Sequence, residues 1–162
     1  MEIRVASDDD WPRIWPFFHA IVAAGETYAY PPHPTADGAQ ALWMETPPGL
    51  TVVAVDGDVV LGSAKMGPNR PGRGSHVATA SFMVSPAARG QGVGRTLGRY
   101  AVTWARGSGY RAMQFNAVVE TNTVAVRLWE SLGFEGLCVV PEAFDSREHG
   151  LVGLLVMHQS FT

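Results

Sequence analysis

The chain has 162 residues, 46% of them apolar and 17% charged, and a formal net charge of −3. That length fits one domain, and that composition supports a buried core and excludes intrinsic disorder. A lone cysteine, Cys138, excludes an internal disulfide framework and a cysteine-built zinc site, and the five histidines show no metal-ligand spacing.

No basic-then-apolar leader opens the chain and no apolar run approaches the roughly 18 residues of a membrane span, so a soluble, cytoplasmic protein is expected. Ile3 and Val5 alternate with polar neighbours and predict a short first strand. Ser7 or Asp8 can cap the helix that follows. Asp9 and Asp10 complement its dipole, Pro12 fits its first turn, and Ile14, Phe17, Phe18, Ile21 and Val22 give it an apolar face that Gly25 ends. The segment Tyr28-Ala29-Tyr30-Pro31-Pro32-His33-Pro34 is too rich in proline for anything but a loop.

A short helix over 35–45 precedes the Pro47-Pro48-Gly49 break. Thr51–Val55 and Val59–Ala64 then read as strands joined by an Asp56-Gly57-Asp58 hairpin turn. Val77–Val84 is a strand, and Val93, Leu97, Tyr100, Ala101, Trp104 and Ala105 recur at helical spacing until Gly107. Ala112–Val119 is a strand, Val124 to Leu132 a helix ended by Gly133, and Phe134–Val140 and Leu151–His158 are closing strands. With no repeat and no linker, the chain reads as a single α/β domain spanning 1–162, a mixed, largely antiparallel sheet flanked by about four helices. Cys138, between Leu137 and Val139, is expected to be a core thiol.

The small net charge hides a lopsided distribution. The 61 residues between Asp58 and Glu120 contain no acid and eight bases: Lys65, Arg70, Arg73, Arg89, Arg95, Arg99, Arg106 and Arg111. The remainder sets four bases against 15 acids, a formal −11. An acid-free middle third points to an anionic ligand, with the positive charge gathered about one helix N-terminus; the alternative is accidental clustering in an arginine-rich composition. Nucleic acid ranks low as that ligand, because no aromatic-basic platform or reading helix accompanies the arginines.

That helix begins at Arg89-Gly90-Gln91-Gly92-Val93-Gly94-Arg95-Thr96, a glycine-rich turn leading out of a strand. Glycines let successive backbone N–H groups converge, and the helix N-terminus adds its positive end, so the turn suits a diphosphate; the alternative is tight strand-to-helix packing. A P-loop would need Gly at 89 and Lys at 95, where Arg stands at both. A dinucleotide turn would need Gly at 95 and an acid about 20 residues on, and neither is present.

What remains, Val84-Ser85-Pro86-x-x-Arg89-Gly90-x-Gly92-Val93-Gly94-Arg95, resembles the acetyl-CoA signature of the GCN5-related N-acetyltransferases (GNAT). A second block, Asn122-x-x-Ala125-x-x-Leu128-Trp129-Glu130-x-Leu132-Gly133-Phe134, resembles the later motif of the same family. The resemblance implies a GNAT-type fold and transfer of an acetyl group from acetyl-CoA (coenzyme A) directly to a small amine acceptor. It further implies that the strand before the turn bulges and splays from its neighbour. The backbone of Phe82, Met83 and Val84 would then hold the pantetheine arm, with an N–H near Met83 or Val84 polarising the thioester carbonyl.

Arg89, Gly90, Gln91, Gly92, Val93, Gly94 and Arg95 would wrap the diphosphate, and Asn122, with Ala125 and Trp129 on the same helix, would complete the cofactor site. Asn122 also suits an N-cap. Many relatives have Tyr where Trp129 stands, and some have Glu where Ala117 stands. Indole does not titrate usefully, so thiolate protonation must come from elsewhere or from water. Asn116 is a catalytic candidate or a structural hydrogen-bonder, and Glu26 an ammonium-binding or relayed base or a solvated loop acid. His76 and Thr79 are candidates for the acceptor pocket.

The Gly74-Ser75-His76 segment, with Phe115-Asn116 and Thr121-Asn122, is similar to small-molecule acetyltransferases of the yeast proline-analogue type, with Thr79 where Asn is expected. The implied partner is therefore a small, amino-acid-like amine, without nucleic acid or membrane, and a homodimer is compatible with the family. A non-catalytic acyl-CoA-binding or sensing domain is the alternative, since the family's acid and base positions hold Trp129 and Ala117.

Overall fold

The structure, a computed structural model describing residues 1–162, orders its elements as β1 (Glu2–Val5), α1 (Trp11–Ala24), α2 (Ala36–Trp43), β2 (Leu50–Asp56), β3 (Val59–Pro68), β4 (Val77–Val84), α3 (Val93–Gly107), β5 (Ala112–Val119), α4 (Thr123–Ser131), β6 (Glu135–Ser146) and β7 (Gly150–Ser160). One seven-stranded sheet runs β1-β2-β3-β4-β5-β7-β6. Every neighbouring pair is antiparallel except β4 with β5. No helix is long and apolar enough to cross a membrane.

Alternation along the strands divides the core in two. On one face, Val52, Ala64, Met66, Ala78, Met113 and Phe115 pack against Val93, Leu97 and Ala101 of α3 and Trp129 of α4. On the other, Val53, Val55, Val60 and Met83 meet Ile14, Phe17, Phe18 and Val22 of α1 and Trp43 of α2.

Entry into α1 differs from a simple cap. Asp8–Asp10 form a 3-10 turn, and the Asp10 carboxylate, 1% exposed, takes both Arg4 guanidinium nitrogens at 2.8 Å and the Ser7 N–H at 2.9 Å. The Arg4 contact, opposed by burial and helped by Ser7, holds the Asp10 carboxyl down at about 2. A carboxyl depressed on folding stabilises the fold above its unfolded pKa and loses that contribution as pH falls through the folded value. Asp10→Asn should therefore cost roughly 2 kcal/mol near neutrality. Denaturant titrations of both proteins should show this gap narrowing as pH drops from about 4 towards 2, and a gap that does not change with pH would refute the assignment.

Two expectations are corrected. The bulge expected in β4 is absent, because β4 pairs with β3 in unbroken register from Gly62↔Val84 to Pro68↔Ala78. The irregularity lies in β5, between Phe115 and Val118. Cys138 is exposed rather than buried. Its strand, β6, is the outermost of the sheet, and Leu137, Val139 and Val140 are exposed beside it because nothing packs over that edge.

Candidate active site

The site begins where the sheet comes apart. β4 and β5 pair only at Val77↔Ala112 and Ala78↔Met113, so beyond Ala78 the two strands diverge and leave an unpaired edge on β4. Which groups face that opening follows from register. Asn69 N–H donates to the Val77 carbonyl at 2.7 Å and Ser85 N–H to the Leu61 carbonyl at 2.8 Å, so odd-numbered residues direct their backbone groups to β3. The even-numbered Ala80, Phe82 and Val84 direct theirs into the opening. Met83, expected to contribute backbone here, turns its N–H and carbonyl towards Ser63, and its side chain is 1% exposed in the core against α1.

The Phe82 groups already have a partner. The Tyr28 hydroxyl accepts from Phe82 N–H at 2.8 Å and donates to the Phe82 carbonyl at 2.5 Å, occupying the edge as a neighbouring strand would. Burial pushes the Tyr28 hydroxyl's pKa well up, outweighing the opposite effect of the Phe82 contact.

Side chains from both diverging strands close the floor. Trp129, 7% exposed, lies 4.6 Å from the Phe82 ring and 5.0 Å from the Phe115 ring, and Phe115 stacks on Phe134 at 4.3 Å. Trp129 is thus a wedge between the two strands. Ala125 packs half-buried against the same cluster. Asn122 caps α4, its Oδ1 accepting from Ala125 N–H at 3.3 Å, which leaves its NH2 group uncommitted.

At the end of β4, a 3-10 turn over Pro86–Ala88 leads into the glycine run. Gly90 and Gly92 both have φ of 78°, a conformation that a side chain would resist. Thr96 is the first residue to bond back, to the Gly92 carbonyl at 3.0 Å. The N–H groups of Val93, Gly94 and Arg95 therefore open the helix unpaired, and no side chain caps them. Val93 itself is buried, so only its backbone is available there.

Arg89, Gln91 and Arg95 are exposed around the turn, and Arg89, Arg95 and Arg99 make no ion pair. The expectation that the basic segment gathers at this helix start holds only for these three. Lys65 pairs with Glu45 at 3.4 Å, Arg106 lies over the Phe161 ring, and Arg70 and Arg73 belong to the β3–β4 connection.

On the α1–α2 face, a pocket of about 470 Å³ lies over β3 and β4, with Tyr30, Glu45, Lys65, Thr79, Ser81 and Asn116 among its lining residues. Asn116 reaches it from the irregular stretch of β5. Its amide donates to Asn69 Oδ1 at 2.6 Å and accepts from Gln114 at 2.9 Å, so a structural hydrogen-bond role is present. Thr79 lines this pocket, whereas His76 lies in a separate hollow with Ser75 and Tyr110. Glu45, which the sequence does not single out, also lines this pocket, and its backbone N–H donates to Thr51 Oγ1 at 2.9 Å.

Glu26 is corrected. Its carboxylate accepts from Ser146 Oγ at 2.6 Å and Glu148 N–H at 2.8 Å, tying the loop after α1 to the β6–β7 turn. The Ser146 bond leads in lowering its pKa, which makes it a weaker base than an ordinary glutamate. It does not line the pocket.

A sheet split between two parallel strands, with an uncapped glycine turn at the end of one of them, defines an acyltransferase-type α/β domain. The sequence model described as the acetyltransferase (GNAT) family matches residues 14–134, and the chain belongs to that family. A GCN5-related N-acetyltransferase from Kribbella flavida is 60% identical with a TM-score of 0.96, over 99% of this chain and 97% of that one. The N-acetyltransferase aca1 of Schizosaccharomyces pombe is 35% identical over 103 residues, covering 63% of this chain and 49% of its own length. Protein SPT10 of Saccharomyces cerevisiae is 35% identical over 83 residues, 51% of this chain and 13% of its own length. The matched stretch thus spans half or less of these curated relatives. A GNAT superfamily phosphinothricin acetyltransferase from Sinorhizobium meliloti, solved in complex with AcCoA, shares the fold at a TM-score of 0.88 and 22% identity, over 98% of this chain and 87% of that one.

Proposed function

We propose that residues 1–162 form one cytoplasmic N-acetyltransferase domain that moves an acetyl group from acetyl-CoA directly to a small, amino-acid-like amine. The observation that carries this reading is the unpaired β4 edge running straight into an uncapped glycine turn. A linear pantetheine arm pairs with such an edge through the groups of Ala80, Phe82 and Val84, and a diphosphate accepts from such a turn. In this reading Gly90 to Arg95 supply N–H donors, Arg89 and Arg95 supply charge, and the free NH2 of Asn122 meets the arm. Ala125 and Trp129 form the wall. The N–H that polarises the thioester is Phe82's, because Met83 faces the other way.

The acceptor enters from the pocket on the α1–α2 face. Glu45 suits an ammonium group and Lys65 a carboxylate, and Asn116 and Ser81 offer neutral hydrogen bonds, a set that fits a zwitterion. Holding the amine and thioester in line supplies much of the acceleration; good orientation is worth roughly 7–11 kcal/mol. Glu45→Gln should raise the acceptor KM about tenfold and leave the acetyl-CoA KM unchanged, in line with a lost charge-assisted hydrogen bond of about 1.4 kcal/mol. Steady-state kinetics check this, and equal changes in both constants would remove Glu45 from the acceptor site.

The test of the function is free-CoA release from acetyl-CoA against amino acids, polyamines, aminoglycosides and peptides. Turnover with amino acids supports the proposal. Tight acetyl-CoA binding without turnover above hydrolysis would favour a sensing domain, the second reading, which Trp129 at the family's tyrosine position motivates.

A further inference from the structure

Aminolysis of a thioester needs a proton moved as well as a bond exchanged. A neutral amine attacks the carbonyl carbon, the C–N bond forms, and the C–S bond breaks with its electron pair going to sulfur. The nitrogen must then lose a proton and the sulfur gain one. Trp129 cannot supply the second, and Glu26 is tied to the β6–β7 turn.

One ionisable hydroxyl nevertheless stands at the opening. Tyr28 lies in a strap fixed at both ends, by Glu26 to Ser146 and by its own hydroxyl to Phe82. Its ring stacks on Tyr30 at 5.4 Å and 5°. Tyr30 lines the acceptor pocket, so Tyr28 stands between that pocket and the unpaired edge of β4.

We propose that the Tyr28 hydroxyl is a catalytic proton relay, taking the proton released by the acceptor nitrogen and giving its own to the departing CoA sulfur. It already accepts and donates at once, from Phe82 N–H and to the Phe82 carbonyl, and the arriving cofactor takes over both Phe82 groups, which frees the hydroxyl to accept from the acceptor nitrogen and donate to the sulfur. A tyrosine hydroxyl is neutral at about pH 7, which a relay requires, since a phenolate would have no proton to give; burial acts in the same direction. The amine and thioester become amide and thiol, with no net change in Tyr28. The inference rests on the acetyl-transfer reading and adds a residue that the family motifs do not mark.

The experiment uses the intact chain, acetyl-CoA and the fastest acceptor from the amine panel. Tyr28→Phe should lower kcat about 100-fold, the lower end of what positioned acid–base groups supply, with acetyl-CoA affinity by calorimetry within threefold of wild type. Replacing Tyr28 with 3,5-difluorotyrosine keeps the ring and both hydrogen bonds but makes the phenol more acidic. It should change kcat by at least threefold, because that proton moves in the transition state, and it still decides the matter if the Phe variant does not fold. A Phe variant within threefold of wild-type kcat, a loss confined to acetyl-CoA affinity, or a difluorotyrosine variant with unchanged kcat would each overturn the relay. Wild-type protein that binds acetyl-CoA yet acetylates no amine would instead defeat the acetyl-transfer reading.

Discussion

Gly92→Asp is expected to abolish measurable acetyl-CoA binding while leaving the protein folded. Gly92 has φ of 78° and sits where α3 begins, with no atom within 4 Å of a built Cβ, so a side chain fits in space and pays only for the left-handed backbone. Asparagine tolerates that conformation best among the neutral residues and aspartate nearly as well. The two therefore bear a similar backbone cost of about 1 kcal/mol, relative to glycine, and differ in charge. A carboxylate about 4 Å from a diphosphate charge, at an effective dielectric near 20, is repelled by about 4 kcal/mol, close to a thousandfold in affinity. Calorimetry should show Gly92→Asn within about tenfold of wild type and Gly92→Asp weaker by a hundredfold or more. Equal affinities for the two variants would remove the diphosphate from this turn.

The same turn shows what a sequence makes legible. Local chemistry writes itself in runs: the bounds of β4 and β5, the hairpin at Gly57 and the helix stop at Gly25 were all readable, because each depends on a few neighbouring residues. The paired motifs also pointed to the family. Parity was not readable. Whether Phe82 or Met83 offers its N–H to the opening depends on how β4 registers on β3, and that is decided by partners such as Ala64 and Ser63, 18 and 20 residues away.

The place of Glu26 is illegible for the same kind of reason, since its partners lie 120 and 122 residues further on, in Ser146 and Glu148. Cys138 shows the limit of apolar runs: Leu137 to Val140 look alike whether a strand is covered or, as in β6, stands at the edge of the sheet. In the sequence Tyr28 belongs to a proline-rich loop, and only the fold carries its hydroxyl to Phe82. The basic segment was half right, because charge counts cannot tell Arg89, left unpaired, from Lys65, which pairs with Glu45.

Gly98→Leu is expected to destabilise the fold strongly, and to damage catalysis with it. Gly94 and Gly98 lie one turn apart on the α3 face that α4 approaches. A Cβ at Gly94 would stand 3.3 Å from Leu128 Cδ2, and one at Gly98 would stand 2.7 Å from Leu132 Cδ1 and 2.9 Å from Trp129 Cζ3. The Leu132 tip can swing aside. The Trp129 ring cannot, being held between Phe82, Phe115 and Phe134. Alanine at 98 therefore sets a ring clash against a gain in helix propensity of about 1 kcal/mol, and its net effect should be small. Leucine adds three more carbons with no space to enter, and overpacking of this kind costs about 3 kcal/mol. In a chain of this size that lowers Tm by roughly 10 °C, which thermal melts would register. Because Trp129 is wedged against Phe82, displacing α4 also moves the strand edge on which the thioester is proposed to lie. The folded fraction of Gly98→Leu should then show a reduced kcat and, because the glycine turn lies only one helical turn away and α4 carries Asn122, weaker acetyl-CoA binding as well. Melting within about 3 °C of wild type would mean that α4 is free to retreat, and that the wedge does not hold the two strands apart.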